Sequence, residues 1–309
     1  MRKIAGPLTI TLILTLAIPS ARLYAQAGEA GLSFLKLGTS ARGIAMGDAM
    51  VAHAGGSAAT HYNPAGLHSV EPGSSAQLLL MHKEWIQDTR TEFLGAAATL
   101  GDGQAIGLSI NSTTVSDIEI RTRPGLPEGT FAARDYALGI SYSQRISDVV
   151  NVGATGKFLY EKILIDEASG FGVDLGMQYK TPLERLSAGL VIANLGSMSA
   201  LRTETTSLPS LMRLGGAYAD SLPAISSDFT LASDYQLVFP TSQSLLSIGG
   251  EILFQETFAA RAGYTFGSEG RKFSAGIGVR YGIVGVDYAY APLSSDLGNS
   301  HTFSLYINL

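Results

Sequence analysis

From residue 73 onward, side-chain character alternates residue by residue, and no apolar run after residue 27 reaches 18 residues. Phe171, Val173, Leu175, Met177 and Tyr179 alternate with Gly172, Asp174, Gly176, Gln178 and Lys180. Phe273, Ala275, Ile277, Val279 and Tyr281 alternate with Lys272, Ser274, Gly276, Gly278 and Arg280, and Phe303, Leu305 and Ile307 with Thr302, Ser304 and Tyr306. Successive side chains of a strand point to opposite faces. Each segment therefore has one apolar face with aromatics toward its ends and one face of small or polar residues. A chain with only 15% charged residues, 36 glycines and 13 tyrosines is a poor candidate for a water-soluble secreted domain, yet it has no run long enough for a helical span. The remaining structure that satisfies its own backbone in lipid is a closed barrel. The expected fold is all-β: a transmembrane antiparallel β-barrel of about 14 strands, with a small N-terminal plug segment.

The pattern predicts strands near 75–84, 90–100, 104–114, 132–146, 149–162, 169–180, 185–195, 209–219, 226–238, 243–254, 257–267, 271–281, 283–291 and 301–309. The count is even, as in bacterial single-chain barrels. Glycine-containing turns separate many pairs, as at Gly101-Asp102-Gly103 and Gly267-Ser268-Glu269-Gly270. The longest connections are expected at 115–131, 196–208 and 292–300. On the polar face, alternation marks Gln178 and Ser304 as positions tolerant of charge.

Residues 1–27 read as a secretory signal peptide. Arg2 and Lys3 precede an apolar core from Ile4 to Ile18, and Ala25-Gln26-Ala27 supplies an A-x-A cleavage site near Ala27. Its removal takes three basic residues and no acidic one, so the acidic excess widens from 5 to 8. That balance gives no electrostatic case for nucleic acid. With no cysteine, disulfides and thiolate metal sites are excluded. The expected location is the bacterial outer membrane, and the expected partner is its lipid.

Residues 28–72 form a lead that is not barrel-like, followed by the barrel over 73–309. Thr39 or Ser40 is placed to cap a short helix through Ala41 to Met46. Gly47-Asp48 turns the chain, and a second helix is expected from a Ser57 cap to Tyr62, stopping before Asn63-Pro64. The lead either folds into the lumen or forms a cap on the periplasmic side. Inward-facing charges are expected at Asp135, Lys157, Asp174, Arg213, Asp228, Asp234, Glu251, Arg261, Lys272, Arg280 and Asp287. They would serve as a salt-bridge network holding the lead, with Arg42 and Asp48 as its partners, or else as the lining of a polar path.

The lead carries a recognisable pattern: Phe34-Leu35-Lys36, Gly38, Ala41-Arg42, Met46-Gly47, Ala49, then Asn63-Pro64-Ala65-Gly66-Leu67. It resembles the N-terminal signature of the PorV/PorQ family. Gly129-Thr130-Phe131 with Asp135 to Tyr142, and Gly153 to Lys157 with Gly170 to Gly176, resemble later blocks of that family. The chain departs from it at Gly55-Gly56, where relatives carry an acidic pair, and at Tyr62, where they carry Trp. The resemblance implies an outer-membrane barrel related to the FadL hydrophobic-compound channels and tied to type IX protein secretion, either as a component or as a cargo shuttle. Its implied partners are a secretion translocon, cargo C-terminal domains and surface attachment proteins. The alternative is a FadL-like passive channel for hydrophobic small molecules, with Phe34, Leu35, Ile44, Met46 and Met50 lining a pocket between lead and wall. The last strand resembles the signal read by barrel-insertion machinery, with Leu309 in place of the usual terminal Phe.

No catalytic set emerges. His53, His61 and His68 lack the spacing of a zinc site, and they read as lead or surface residues. Gly101-Asp102-Gly103 reads as a hairpin turn rather than a phosphate loop. His82 and His301, on the first and last strands, have no nucleophile beside them and read as rim or lumen residues. The expectation is a non-enzyme with no cofactor and no metal.

Overall fold

Fourteen strands of alternating character close on themselves because lipid leaves no unpaired strand edge a partner. The computed structural model describes residues 31–70, 73–86, 89–205, 207–294 and 297–309; the predicted signal peptide and its cleavage site lie outside them. In chain order the strands are β1 (Ala76–Glu84), β2 (Thr89–Gly101), β3 (Gln104–Ile120), β4 (Gly129–Arg145), β5 (Val150–Ile163), β6 (Asp166–Lys180) and β7 (Leu186–Met198). A two-stranded hairpin, β8 (Ala200–Leu201) and β9 (Glu204–Thr205), stands apart from the barrel in the next connection. Then follow β10 (Leu211–Leu222), β11 (Ser227–Val238), β12 (Gln243–Phe254), β13 (Phe258–Phe266), β14 (Phe273–Tyr281), β15 (Val284–Pro292) and β16 (Asn299–Asn308). Each barrel strand pairs antiparallel with its neighbours in sequence, and β1 closes on β16 from Gln77↔Asn308 to Glu84↔His301.

The predicted strands and the observed ones coincide within a few residues, except at the β3–β4 hairpin. There the ladder continues to Ile120↔Gly129 past a register shift between Val115 and Ile118, with Asp117 in the left-handed region. A bulge absorbs the break in alternation at this point, so the connection shrinks to 121–128. Connections 121–128, 199–210 and 293–298 share one end of the barrel with the turn at 164–165. The turns at 102–103, 146–149 and 282–283 share the other, where Leu309 also lies, its carbonyl accepting from Ser75 N at 2.7 Å. In outer-membrane barrels the short-turn end is periplasmic.

The outer face carries the apolar alternates: Ile277 is 61% and Tyr281 89% exposed to the surroundings of the barrel. Its aromatic pairs include Tyr136–Tyr160 and Phe158–Phe171. The inner face is buried and mixed, with apolar residues such as Leu79, Phe93, Leu159 and Val191 among polar ones. Asp174 is 2% and Gln178 8% exposed, and Ser274, Thr302 and Ser304 are buried. Asp228 and Lys272, expected inside, instead stand exposed where their alternation runs out at strand ends.

Depth decides what the outer face tolerates. Ile277 sits at the middle of β14 and Tyr281 at its short-turn end. A basic residue costs about 2–4 kcal/mol at the bilayer midplane and about 0–1 near the interface. Ile277→Lys is therefore expected to abolish the heat-modifiable folded band on gels, and Tyr281→Lys to retain it. Equal tolerance at the two positions would contradict this strand placement.

Candidate functional site

The lead reaches its position through small residues that let backbone meet backbone. Ser40 caps α1 (Ala41–Ala45), its Oγ accepting from Gly43 N at 3.1 Å. Beyond its C-cap Met46 the chain turns at Gly47 and Asp48, both at positive φ. The barrel's glycines are cut to fit this segment. A Cβ at Gly263 would stand 2.2 Å from Gly47 N, one at Gly249 2.3 Å from Met46 O, and one at Gly189 2.4 Å from Val51 O. α2 (Ala59–Tyr62) follows a 3₁₀ turn over Gly56–Ala58, and Ser57 does not cap it. Instead Ser57 N and Oγ both donate to Gln77 Oε1 of β1, at 3.1 and 2.8 Å.

Asn63 ends α2 in an extended conformation before Pro64. Its Oδ1 accepts from Ala65 N, while Nδ2 donates to Val51 O (2.8 Å) and to Met177 O of β6 (3.0 Å). Pro64 opens a 3₁₀ turn against Gly153 and Gly176. Gln178 donates to Ala54 O at 2.9 Å, and Ser304 Oγ accepts from Ala41 N at 2.8 Å. These two positions, permissive by alternation, are thus occupied in holding the lead, because the polar face of the wall is a packing surface.

Charges complete the attachment. Arg42 donates to Glu251 of β12 through Nε at 2.9 Å and Nη2 at 2.7 Å. Glu251 also takes Arg261 of β13, whose Nη1 reaches Asp287 of β15 at 2.7 Å. Asp48 accepts from Arg271 and from Tyr62 OH. Asp234 Oδ2 accepts the backbone N–H groups of Met50 and Val51 at 2.7 and 2.9 Å. Asp174 pairs with Lys157 at 2.7 Å, and Arg213 donates to Gln236 and to Lys36 O. Arg280 stands half-buried on the inward face of β14, two residues beyond Gly278. Burial works against the Arg42 charge, but Glu251 beside it raises the guanidinium's hold on its proton. Burial likewise opposes the Asp48 carboxylate, and Arg271 nevertheless holds it below the usual range.

Of the apolar residues singled out in the lead, Ile44 packs with Ala41, Ala45 and Ala289. Met46 and Met50 are sealed among Tyr62, Leu79, Met81 and Phe93. Phe34 and Leu35 lie in a different cluster, toward the long-loop end, with Leu32, Ala137, Leu159, Ala168, Met198 and Leu208. Leu35 also borders a cavity of about 10 Å³ together with His61, Lys157, Asp174, Leu211 and Arg213. That is room for about one water.

Among the described residues, no three His, Cys, Asp or Glu side chains converge as a metal site. His82 and His301 face outward rather than into the lumen, bonded to Glu92 and Tyr288. The ring nitrogens of His53 are out of solvent and have no hydrogen-bond partner among the described residues. Burial pushes the His53 imidazole down to about 3, and the nearby Arg42 charge adds to the effect.

No family model matches the chain, and no curated protein matches it. Among solved structures it is similar to the CymD monoaromatic hydrocarbon channel, with TM-score 0.64 and 13% identity over 88% of this chain and 98% of that one. The toluene transporter TodX of Pseudomonas putida gives 0.62 and 12%, over 87% and 96%. A FadL homologue of Pseudomonas aeruginosa gives 0.57 and 12%, over 87% and 97%. The chain has the fold of FadL-type outer-membrane barrels.

Two outcomes follow for the lead. Arg42→Ala leaves Glu251 still paired to Arg261, so the loss falls below the roughly 3–5 kcal/mol of a fully orphaned buried charge. The lead should become cleavable by protease, and single-channel conductance should rise. Gly263→Val should give the same phenotype by steric means. Unchanged protection in both variants would show that these contacts do not hold the segment.

The second concerns acid. The folded pKa of His53, about 3, lies below the ordinary 6.5, so the unfolded state binds the proton first. Stability from its neutral packing is complete above about pH 6.5 and is lost as pH falls toward 3. Protease access to the lead should rise between about pH 6.5 and 4.5, above the main carboxylate range, and His53→Leu should flatten that rise.

Proposed function

We propose that the chain is a non-enzymatic FadL-type passive channel for hydrophobic small molecules, with residues 31–70 as its plug and Phe34 and Leu35 as the first apolar contacts of the solute. The observation that carries this reading is the apolar cluster of Leu32, Phe34 and Leu35 against Ala137, Leu159, Met198 and Leu208, which of the lumen's apolar clusters is the one set toward the long-loop end and held by few specific bonds. A polar solute gains nothing from such a surface, whereas an apolar one gains about 25 cal/mol per Å² removed from water. The descriptions of the similar structures as a monoaromatic hydrocarbon channel and a toluene transporter lend the same support. Because Phe34, Leu35, Met46, Met50 and Tyr62 of the lead are buried against the wall, passage depends on local repacking of the plug.

The second reading is a PorV/PorQ-type component or cargo shuttle of type IX secretion. Its support is the signature from Phe34 to Gly47 and from Asn63 to Leu67. Translocon, cargo C-terminal domains or attachment proteins would then meet the long connections at 121–128, 199–210 and 293–298. Arg42, Gly47 and Asn63 all anchor the lead to the wall, a role that both readings share.

A deletion strain separates the two. The channel reading expects slower uptake of toluene or long-chain fatty acid with unchanged exported protein. Loss of exported protein with normal uptake would replace it by the second reading. In complementation, burying a carboxylate in the apolar cluster costs more than the roughly 1.4 kcal/mol of a tenfold change. Phe34→Asp should therefore lower uptake about tenfold while the heat-modifiable fold persists.

A further inference from the structure

Among the described residues, the buried acids that touch the lead or its supports have their donors: Glu251 has Arg42 and Arg261, Asp287 has Arg261, Asp174 has Lys157, and Asp234 has two backbone N–H groups. Asp234 Oδ1 has no partner among the described residues, and Asp135 of β4 and Glu161 of β5 have no hydrogen bond or ion pair among them at all. They stand directly opposite each other on the inward face of the ladder. Side chains so placed have Cβ atoms about 4.5–5.5 Å apart, and like charges there repel. Glu161 is 9% exposed, and its Oε2 is out of solvent without a partner.

The neighbouring strand adds neutral oxygens. Thr113 of β3 lies opposite Asp135, and Asn111 lies two residues along the same inward face. Asn111 is 5% exposed, and its Oδ1 is buried without a donor among the described residues. Thr113 Oγ1 shares one hydrogen bond with Thr91 at 3.0 Å and keeps a free lone pair. Lys83 of β1 occupies the same row beyond Thr91. Three inter-strand steps, about 14 Å in all, separate it from Asp135. Lys157 is committed to Asp174.

We propose that Asp135, Glu161, Asn111 and Thr113 form a site for one hard divalent cation, Ca²⁺ by preference, on the lumen wall. The donors are all oxygen, which suits Ca²⁺ or Mg²⁺ rather than the transition metals that favour imidazole or thiolate. Ca²⁺ accepts six to eight oxygens in flexible geometry, whereas Mg²⁺ demands a near-ideal octahedron. Asp135 is half-buried, so water can supply the remaining positions. The cation would join β3, β4 and β5 where the β5–β6 hairpin ends, beneath the taller β3–β4 hairpin. The proposal holds for either reading of function.

The test uses full-length barrel refolded without lipopolysaccharide, washed with chelator and titrated with CaCl₂ in detergent by calorimetry. One Ca²⁺ should bind per barrel and raise the temperature at which the folded gel band is lost. Asp135→Asn and Glu161→Gln should each weaken binding by about tenfold or more. The double variant, freed of the repulsion, should fold in chelator at least as well as the unaltered chain and show no response to Ca²⁺. If the carboxylate variants do not fold, Asn111→Leu decides: several-fold weaker binding supports the site, and unchanged affinity overturns it. The proposal is also overturned if the unaltered chain takes up no Ca²⁺ at millimolar concentration, as a shared proton would give, or if the double variant still responds.

Discussion

A backbone amide in hydrocarbon has no water to bond, and this single constraint shapes the chain from Ala76 to Leu309. It forces the β1–β16 seam to close, and closure with fourteen strands fixes the interior. Eight strands leave just enough space for wall side chains to fill; larger barrels leave a lumen. Something other than the wall must fill that lumen if polar inward residues such as Asp174 and Ser304 are to be buried. Here the chain's own residues 31–70 do so. That explains why the inward face is rich in glycine: Gly189, Gly249 and Gly263 mark where the backbone of the lead touches the wall.

Ion pairing then gives the lead one register rather than many. Burying an ion costs several kcal/mol even after relaxation, so Arg42 is stable only where Glu251 waits for it. The wall has that place prepared, since Glu251, Arg261 and Asp287 form a bonded chain across β12, β13 and β15 without help from the lead. Asp234, a wall carboxylate like Glu251, offers one oxygen to two successive backbone N–H groups of the lead. Attachment by such groups specifies position more than it adds stability, because their desolvation offsets most of the attraction.

Fold was legible in the sequence because period two is a local signal. All fourteen barrel strands were readable, and the exception at β3–β4 is a bulge, where two residues face one and the alternation slips. Helix α1 was readable from Ser40, but the cap expected of Ser57 was not made, because Ser57 lies inside the 3₁₀ turn over Gly56–Ala58 and Ala58 takes the position before α2. The site was legible only by residue type. Arg42 in a run of small residues demands an acid, yet nothing near it in sequence says that the acid is Glu251. Gln178 and Ser304 read as permissive for the same reason: alternation assigns a face but not what is pressed against it. The Asp135–Glu161 pair is invisible until the β4–β5 register is known, since one residue of slip would turn one of the two carboxylates outward.

The lead is held unevenly. Residues 40–67 are fixed by ion pairs and by the amides of Asn63 and Gln178. Residues 31–37 are held mainly by apolar contact, with Gly31 N donating to Ser207 O and Arg213 donating to Lys36 O. Segments with few specific bonds open locally at lower free energy than the rest. On the channel reading, an apolar solute can replace the contacts of Phe34 and Leu35 with its own surface at little net loss, because the hydrophobic effect is non-directional. It cannot substitute for Glu251 at Arg42. The moving part is then the first few residues of the lead on the long-loop side, while α1 and the turn at Asn63 stay docked, and aqueous leakage remains blocked while the solute enters.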